Sequence, residues 1–365
     1  MHQLTSRLLY FLGDFYGYII VSTITVVTGL VIIWKLHKNT QRHINILLAI
    51  TTGAMALVMF FIPAEAYFRY VYEASDGIGF LKIARKWHDR YVIFNGNYRR
   101  DREFTMEKPS GEIRIAAIGD SLTFGIGIEN PADRLSNLLE SKLIKDGFNV
   151  AVYNLGISGS DTNDQIIAFH QMEVFDFDIV VWQYFMNDVN SATNSANAQI
   201  TKNSQTRLTK HPLAKYITDH SFFADFLYWR LTSRYDQTFR QLAGEDLRLY
   251  REPAIIRGHQ AQVQEFVQEL HKKNIPVVVS MFPFIHSETI RQDSRPQYQM
   301  MLETFRKSNP EGLIDLDQIF APYSTDMLKA SRFDQHPNEF AHKLAAEALY
   351  QQLKPLVGKK IEYNK

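Results

Sequence analysis

The chain opens on two long runs in which no charged residue interrupts the apolar pattern. Phe15 to Trp34 and Ile44 to Pro63 each cover twenty residues without a charge. A helix needs about 20 apolar residues to cross the hydrocarbon core of a bilayer. A core helix of a soluble protein keeps a polar face instead. Between the runs, the segment Lys35–His43 holds Lys35, Lys38 and Arg42, whereas the segment before the first run offers only Arg7. Short loops rich in Lys and Arg stay cytoplasmic. The pattern therefore predicts an N-terminal segment (1–14) and a transmembrane helical hairpin (15–63, helices 15–34 and 44–63), with the rest of the chain outside the cytoplasm. A connector follows over residues 64–111, rich in Tyr, Phe and Arg, which suit a membrane exit at headgroup level.

From Glu112 the periodicity changes. EIRIAAIGD alternates and then runs apolar into a turn, as a strand does. Pro131 to Asp146 places Leu135, Leu138, Leu139 and Leu143 at helical spacing and ends at Gly147. FNVAVYNLG is a second strand, and Asp161 to Phe175 a helix capped by Asp161 or Thr162. DIVVWQYF is a third strand. Residues 191–250 interrupt the alternation and read as an insertion, polar at first and then aromatic (SFFADFLYWRL). The aromatic stretch reads as an amphipathic helix packed on the domain, with bilayer contact as the other reading. The pattern then resumes: helix from Pro253 to Lys273, strand IPVVVSMFP, helix from Arg295 to Ser308, strand GLIDLD, and a closing helix from Asn338 to Leu353. Strands alternating with helices predict an α/β domain over residues 112–358, a five-stranded parallel sheet covered on both faces, with a tail at 359–365. Ligands of such sheets sit at the carboxyl ends of the strands, so residues that carry chemistry should lie just after strands.

Composition narrows the chemistry. A net charge of +1 gives no electrostatic footprint for nucleic acid. The chain has no cysteine, which excludes disulfides, thiol catalysis and Cys-ligated metals.

Four strand-end or helix-start segments stand out. The first strand ends in Gly119-Asp120-Ser121-Leu122-Thr123-Phe124-Gly125, which exposes a serine hydroxyl at the sheet edge and turns its backbone N–H toward a helix start. The second ends in Asn154-Leu155-Gly156-Ile157-Ser158-Gly159-Ser160-Asp161-Thr162, where two glycines let backbone approach a ligand. The third ends in Phe185-Met186-Asn187-Asp188, and an asparagine amide can donate to an oxyanion. Before the last helix stands Arg332-Phe333-Asp334-Gln335-His336-Pro337-Asn338, a histidine base with a carboxylate nearby. Each segment alone is an ordinary turn or cap. All four in this order and at these places are not.

The blocks GDSLTFG, SGSDT, MND and DQHPN resemble those of the SGNH/GDSL hydrolase superfamily, over roughly Ile113 to Leu353. The resemblance implies a flavodoxin-like three-layer α/β/α fold and a serine esterase. It assigns Ser121 as nucleophile, His336 as base and then acid, and Asp334 as the group that orients His336. The oxyanion hole is implied to be the Ser121 and Gly159 N–H groups and the Asn187 amide, with Gly156 the rival to Gly159. Two departures stand against the pattern: Phe185 replaces a glycine, and the last block is Asp-x-His rather than Asp-x-x-His. The shorter form is similar to that of bacterial polysaccharide O-acetyl esterases and acetyltransferases. Residues 95–103 (NGNYRRDRE) also resemble a segment that precedes this block in membrane-anchored relatives, and read as a packed lead-in or, through Arg99 and Arg100, an anion site.

The implied reaction passes through an acyl-Ser121 intermediate and requires no metal or organic cofactor. The expected place is a bacterial inner membrane with the catalytic domain on its outer side. The expected substrate is an ester, an acetylated carbohydrate first and a lipid second. Two other readings carry different expectations: an O-acyltransferase working with a membrane acyl-donor partner, and a catalytically weak binding or assembly subunit on the same scaffold.

Overall fold

The computed structural model describes residues 20, 23–35, 42–189, 212–231, 243–244 and 246–363. The chain divides into two compact units: Met1–Glu73 with Leu81–Ile83 and Lys210–Thr232, and Ala74–Phe80 with Ala84–Thr209 and Ser233–Lys365.

The second unit is built on five strands: β1 (Ile113–Gly119), β2 (Val150–Asn154), β3 (Ile179–Phe185), β4 (Val277–Phe282) and β5 (Gly312–Asp315). Their order is β2-β1-β3-β4-β5, and every pairing is parallel. The strands are runs of Val, Ile and Ala buried along their whole length, apart from the edge strand β5. That is what a sheet covered on both faces requires. Helices Leu135–Lys145 and Glu339–Tyr363 cover one face, and Thr162–Met172, Pro253–Lys272 and Arg295–Ser308 the other. The expected three-layer α/β/α architecture is therefore present. The chain leaves β1 toward β2 on one side and returns to β3 on the other, so the strand order reverses beside β1. A crevice opens at such a switch point, outside the carboxyl ends of the strands.

Local chemistry sets the element ends. Asp161 and Asp164 form a reciprocal capping box at the start of Thr162–Met172. Pro131–Asp133 is one 3₁₀ turn, and the α-helix proper begins at Leu135. The closing helix runs ten residues past Leu353, through Pro355 to Tyr363.

The first unit corrects one expectation. Among the described residues one helix, not two, is long and apolar enough to cross a membrane: Leu48–Val71, 24 residues. It takes in the α-helix Arg42–Ala66 from Leu48 onward and a π-turn at Tyr67–Val71, just after Pro63. Large side chains along it stay exposed, among them Leu57 and Phe60. Of the earlier apolar run, the described residues include the helix Thr23–Lys35. Residues 15–19, 21 and 22 of that run lie outside the described residues, as do 191–211 and 232–242 of the insertion.

The aromatic part of the insertion forms two helices, Pro212–His220 and Phe222–Leu231. Their partner within this unit is the apolar helix. Phe223 packs edge-on against Phe60 and Phe61, and Phe226 stacks on Phe68 at 4.3 Å. Glu65, fully buried, accepts from the Ser221 hydroxyl (2.6 Å) and from the Phe222 and Phe223 N–H groups, capping the second helix.

Candidate active site

The carboxyl ends of β1 and β3 flank the switch point, and the singled-out residues gather there. Asp120 leaves β1 and its side chain accepts from Leu122 N–H at 2.9 Å, starting the one-turn helix Ser121–Phe124. That cap fixes Ser121 at the first helical position with its hydroxyl at the crevice. Ser121 Oγ lies 2.8 Å from His336 Nε2 and 3.3 Å from Asp120 Oδ2. A hydroxyl has one proton to donate, and the shorter contact directs it to the imidazole.

The Asp-x-His spacing closes a tight local ring. Asp334 Oδ1 accepts from the His336 backbone N–H (3.0 Å) and sits 2.6 Å from His336 Nδ1. The loop that carries the pair is pinned at both ends. Ala330 N–H donates to His336 O, and the Asn338 amide donates to Met327 O and Lys329 O while Asn338 Oδ1 caps the closing helix.

Electrostatics follow from burial and this pairing. Burial pushes the Asp334 carboxyl up, but the facing His336 charge and hydrogen bond outweigh it, and the net direction is down. For His336, burial acts downward, and the Asp334 charge and hydrogen bond, helped by Asp120 and Asp76, carry it above its ordinary 6.5. Behind the serine, Asp120 and Asp188 are both fully buried. Burial and then the Asp120 charge push Asp188 well above the usual carboxylate range. Asp188 ties down the end of β3, accepting from Phe185 N–H (3.0 Å) and the Gln165 amide (2.8 Å).

The crevice is a pocket of about 280 Å³ whose walls include Ser121, Gly159, Asn187, His336, Phe185 and Phe284. Five of the expected residues thus meet at one place: four line the pocket and Asp334 stands behind His336. Gly156 stands elsewhere in the loop. A Cβ there would lie 2.4 Å from Phe124 N, so its role is the close passage of the second loop over the serine helix. Phe185 packs against Phe284 with ring centroids 5.0 Å apart and forms a wall of the pocket rather than filling it.

Sequence reasoning missed the segment Ser75-Asp76-Gly77-Ile78-Gly79. Gly77 and Ile78 line the pocket. Gly77 has φ +73°, and a Cβ on it would come within 2.9 Å of both Asp334 Oδ1 and His336 Nδ1. Its tight turn is held by Asp76 Oδ1, which accepts from Ile78 and Gly79 N–H. The one sequence signal was Asp-Gly-x-Gly, a common turn. Arg100 is buried and stacks over Trp87 and Phe124, and its guanidinium donates to Gly125 O and Ile128 O. Arg100 thus braces the loop after the serine helix, as a packed lead-in does.

Among the described residues the one cluster with metal-ligand spacing is His170, Glu173 and Glu269, none of which lines the pocket. Lys273 already bridges both glutamates there.

Residues 117–344 match the sequence profile of the GDSL-like Lipase/Acylhydrolase family. Solved structures with a similar chain trace include TesA (13% identity, 67% of this chain and 99% of that chain, TM-score 0.40). The psychrotrophic esterase EstA from Pseudoalteromonas sp. follows (12% identity, 67% and 98%, TM-score 0.37). A catalytic mutant of Axe2, an acetylxylan esterase from Geobacillus stearothermophilus, is similar at 13% identity (68% and 96%, TM-score 0.39). No curated protein matches the chain.

Proposed function

The chain belongs to the GDSL-like lipase/acylhydrolase family, and on that premise we propose that it is a membrane-anchored serine esterase in which Ser121 attacks the ester carbonyl. One observation carries the reading: Ser121 Oγ, His336 Nε2, His336 Nδ1 and Asp334 Oδ1 form a continuous chain with links of 2.8 and 2.6 Å. His336 takes the Ser121 proton as Oγ bonds to the carbonyl carbon. General base catalysis of this kind is worth about 10²–10⁴ in rate. The Ser121 and Gly159 N–H groups and the Asn187 amide hold the oxyanion. Loss of one such donor costs about 10²–10³ in kcat. Collapse of the tetrahedral species transfers the proton from His336 to the departing alcohol, leaving acyl-Ser121, which water then cleaves by the same route. The assembled chain of contacts speaks against the scaffold reading, which has no use for it.

The anchor is the helix Leu48–Val71. Lys35, Lys38 and Arg42 stand at its amino end and favour that end inside, which puts the esterase on the outer face of a bacterial inner membrane. Acylated envelope carbohydrate is the substrate class that such a site meets.

The test is labelling of the purified protein with a fluorophosphonate probe, beside Ser121→Ala and His336→Ala. Labelling of the wild type, abolished in Ser121→Ala and reduced at least about 10²-fold in rate in His336→Ala, is the expected result. A folded wild type that stays unlabelled overturns the activated serine.

A further inference from the structure

A second pocket, of about 410 Å³, adjoins the first, and Gly77, Ile78 and Ser158 line both. Its size falls in the range of ligand sites, about 300–1,000 Å³. Its walls are largely apolar, with His88 and Ser158 among the polar groups. Two of its aromatic side chains face water: Phe94 is 48% exposed and Tyr98 81%.

Tyr98 is the unusual one. It has φ +55°, and the other non-glycine residues with positive φ among those described are Asp176, Asn274 and Asn309. Asp and Asn tolerate the left-handed region through local hydrogen bonds, and a tyrosine does not. The backbone is nonetheless built to hold it. Tyr98 N–H donates to Asn95 O, Asn95 Oδ1 accepts from Asn97 and Arg99 N–H, and the Asn95 amide donates to Arg102 O. A left-handed turn with Asn or Gly at this position would fold with less strain. The tyrosine ring contributes no buried packing, so its use lies at the surface it presents.

We propose that this pocket is the subsite for the sugar ring that carries the scissile ester, with Phe94 and Tyr98 as its stacking platform. The proposal rests on the esterase reading above and names the alcohol side of its substrate. A pyranose presents a C–H face to an aromatic ring and hydroxyls to water and polar rims. An occupant of that kind suits rings left open to solvent, whereas an acyl chain would call for enclosing walls. The shared edge at Gly77, Ile78 and Ser158 gives a ring seated there a direct approach for its ester to Ser121.

The test uses the full chain in detergent, in a Ser121→Ala background to prevent turnover, titrated calorimetrically with cellotetraose, xylotetraose and chitotetraose. Saturable binding of at least one, weakened tenfold or more by Tyr98→Ala and by Phe94→Ala, is the expected result. Tyr98→Asn, which keeps the turn while removing the ring, should weaken binding equally. The proposal falls if no oligosaccharide binds, if Tyr98→Ala and Tyr98→Asn bind as the parent does, or if, with Ser121 intact, Tyr98→Ala selectively slows 4-nitrophenyl decanoate, which would mark an acyl pocket. Ring-dependent glycan binding by a protein that no fluorophosphonate labels would leave the subsite standing and remove the esterase.

Discussion

Two histidines line the crevice, and their surroundings separate them. Burial, with the His336 charge adding, pushes His286 down to about 3, so it stays neutral at any working pH. His336, facing Asp334, is carried above 6.5 instead. Only neutral His336 can accept the serine proton. The acid limb of kcat/KM should therefore centre above 6.5, and in Asp334→Asn it should move to lower pH while kcat falls by about 10² or more. A pH–rate profile of both proteins checks this, and a limb that stays in place would remove Asp334 from the pair. The same shifts act on stability. His336, raised, stabilises fully below the ordinary imidazole value, and its contribution is lost as pH rises through the raised one. Asp334, lowered, stabilises above the ordinary carboxylate value of 3.8, and its contribution is lost as pH falls through the lowered one. Gly77 supplies a second prediction at this scale. Gly77→Val forces a side chain against the Asp334–His336 contact and strains a left-handed turn by about 1–2 kcal/mol. Its kcat should drop at least tenfold, with a loss in unfolding free energy of that strain plus about 1–3 kcal/mol for the crowding. Ser121, Asp334 and His336 were legible because each stands in a short block with its own chemistry. Gly77 was not, because what it touches lies more than 250 positions away in the chain.

At the scale of elements, the sheet was readable because parallel strands buried on both faces leave unbroken runs of Val and Ile between helical stretches. The misses fall where tertiary contacts overrule local pattern. The sequence pattern closes the last helix at Leu353, yet the helix continues through Pro355 to Tyr363. The aromatic stretch reads in sequence as an amphipathic helix packed on the α/β domain, but Phe222–Leu231 belongs to the first unit, where Phe60, Phe61 and Phe68 pack against it. Its start is capped by the Glu65 carboxylate. Glu65→Ala should cost about 0.5–2 kcal/mol of local stability. Hydrogen exchange should then speed up at the Phe222 and Phe223 amides and stay unchanged in β1 and β3. Unchanged exchange at Phe222 and Phe223 would show that Glu65 is not what holds the helix start.

At the scale of the whole molecule, the absence of cysteine makes the orientation directly measurable. Lys35→Cys and Ser141→Cys each introduce a single thiol. In intact spheroplasts an impermeant maleimide should label Ser141→Cys at once and Lys35→Cys only after permeabilisation. The reverse pattern would place the esterase inside.

The family match begins at residue 117, but the wall of the crevice begins earlier, since Gly77 and Ile78 line it and Gly77 abuts the Asp334–His336 pair. The family match and the wall of the candidate site therefore have different borders. A soluble version cut at the start of β1 would retain the sheet, the serine and the histidine, yet lack part of its own active-site wall. A version begun just after Glu73 leaves out the apolar helix Leu48–Val71 and keeps that wall, and it is the shorter chain from which undiminished turnover should be sought.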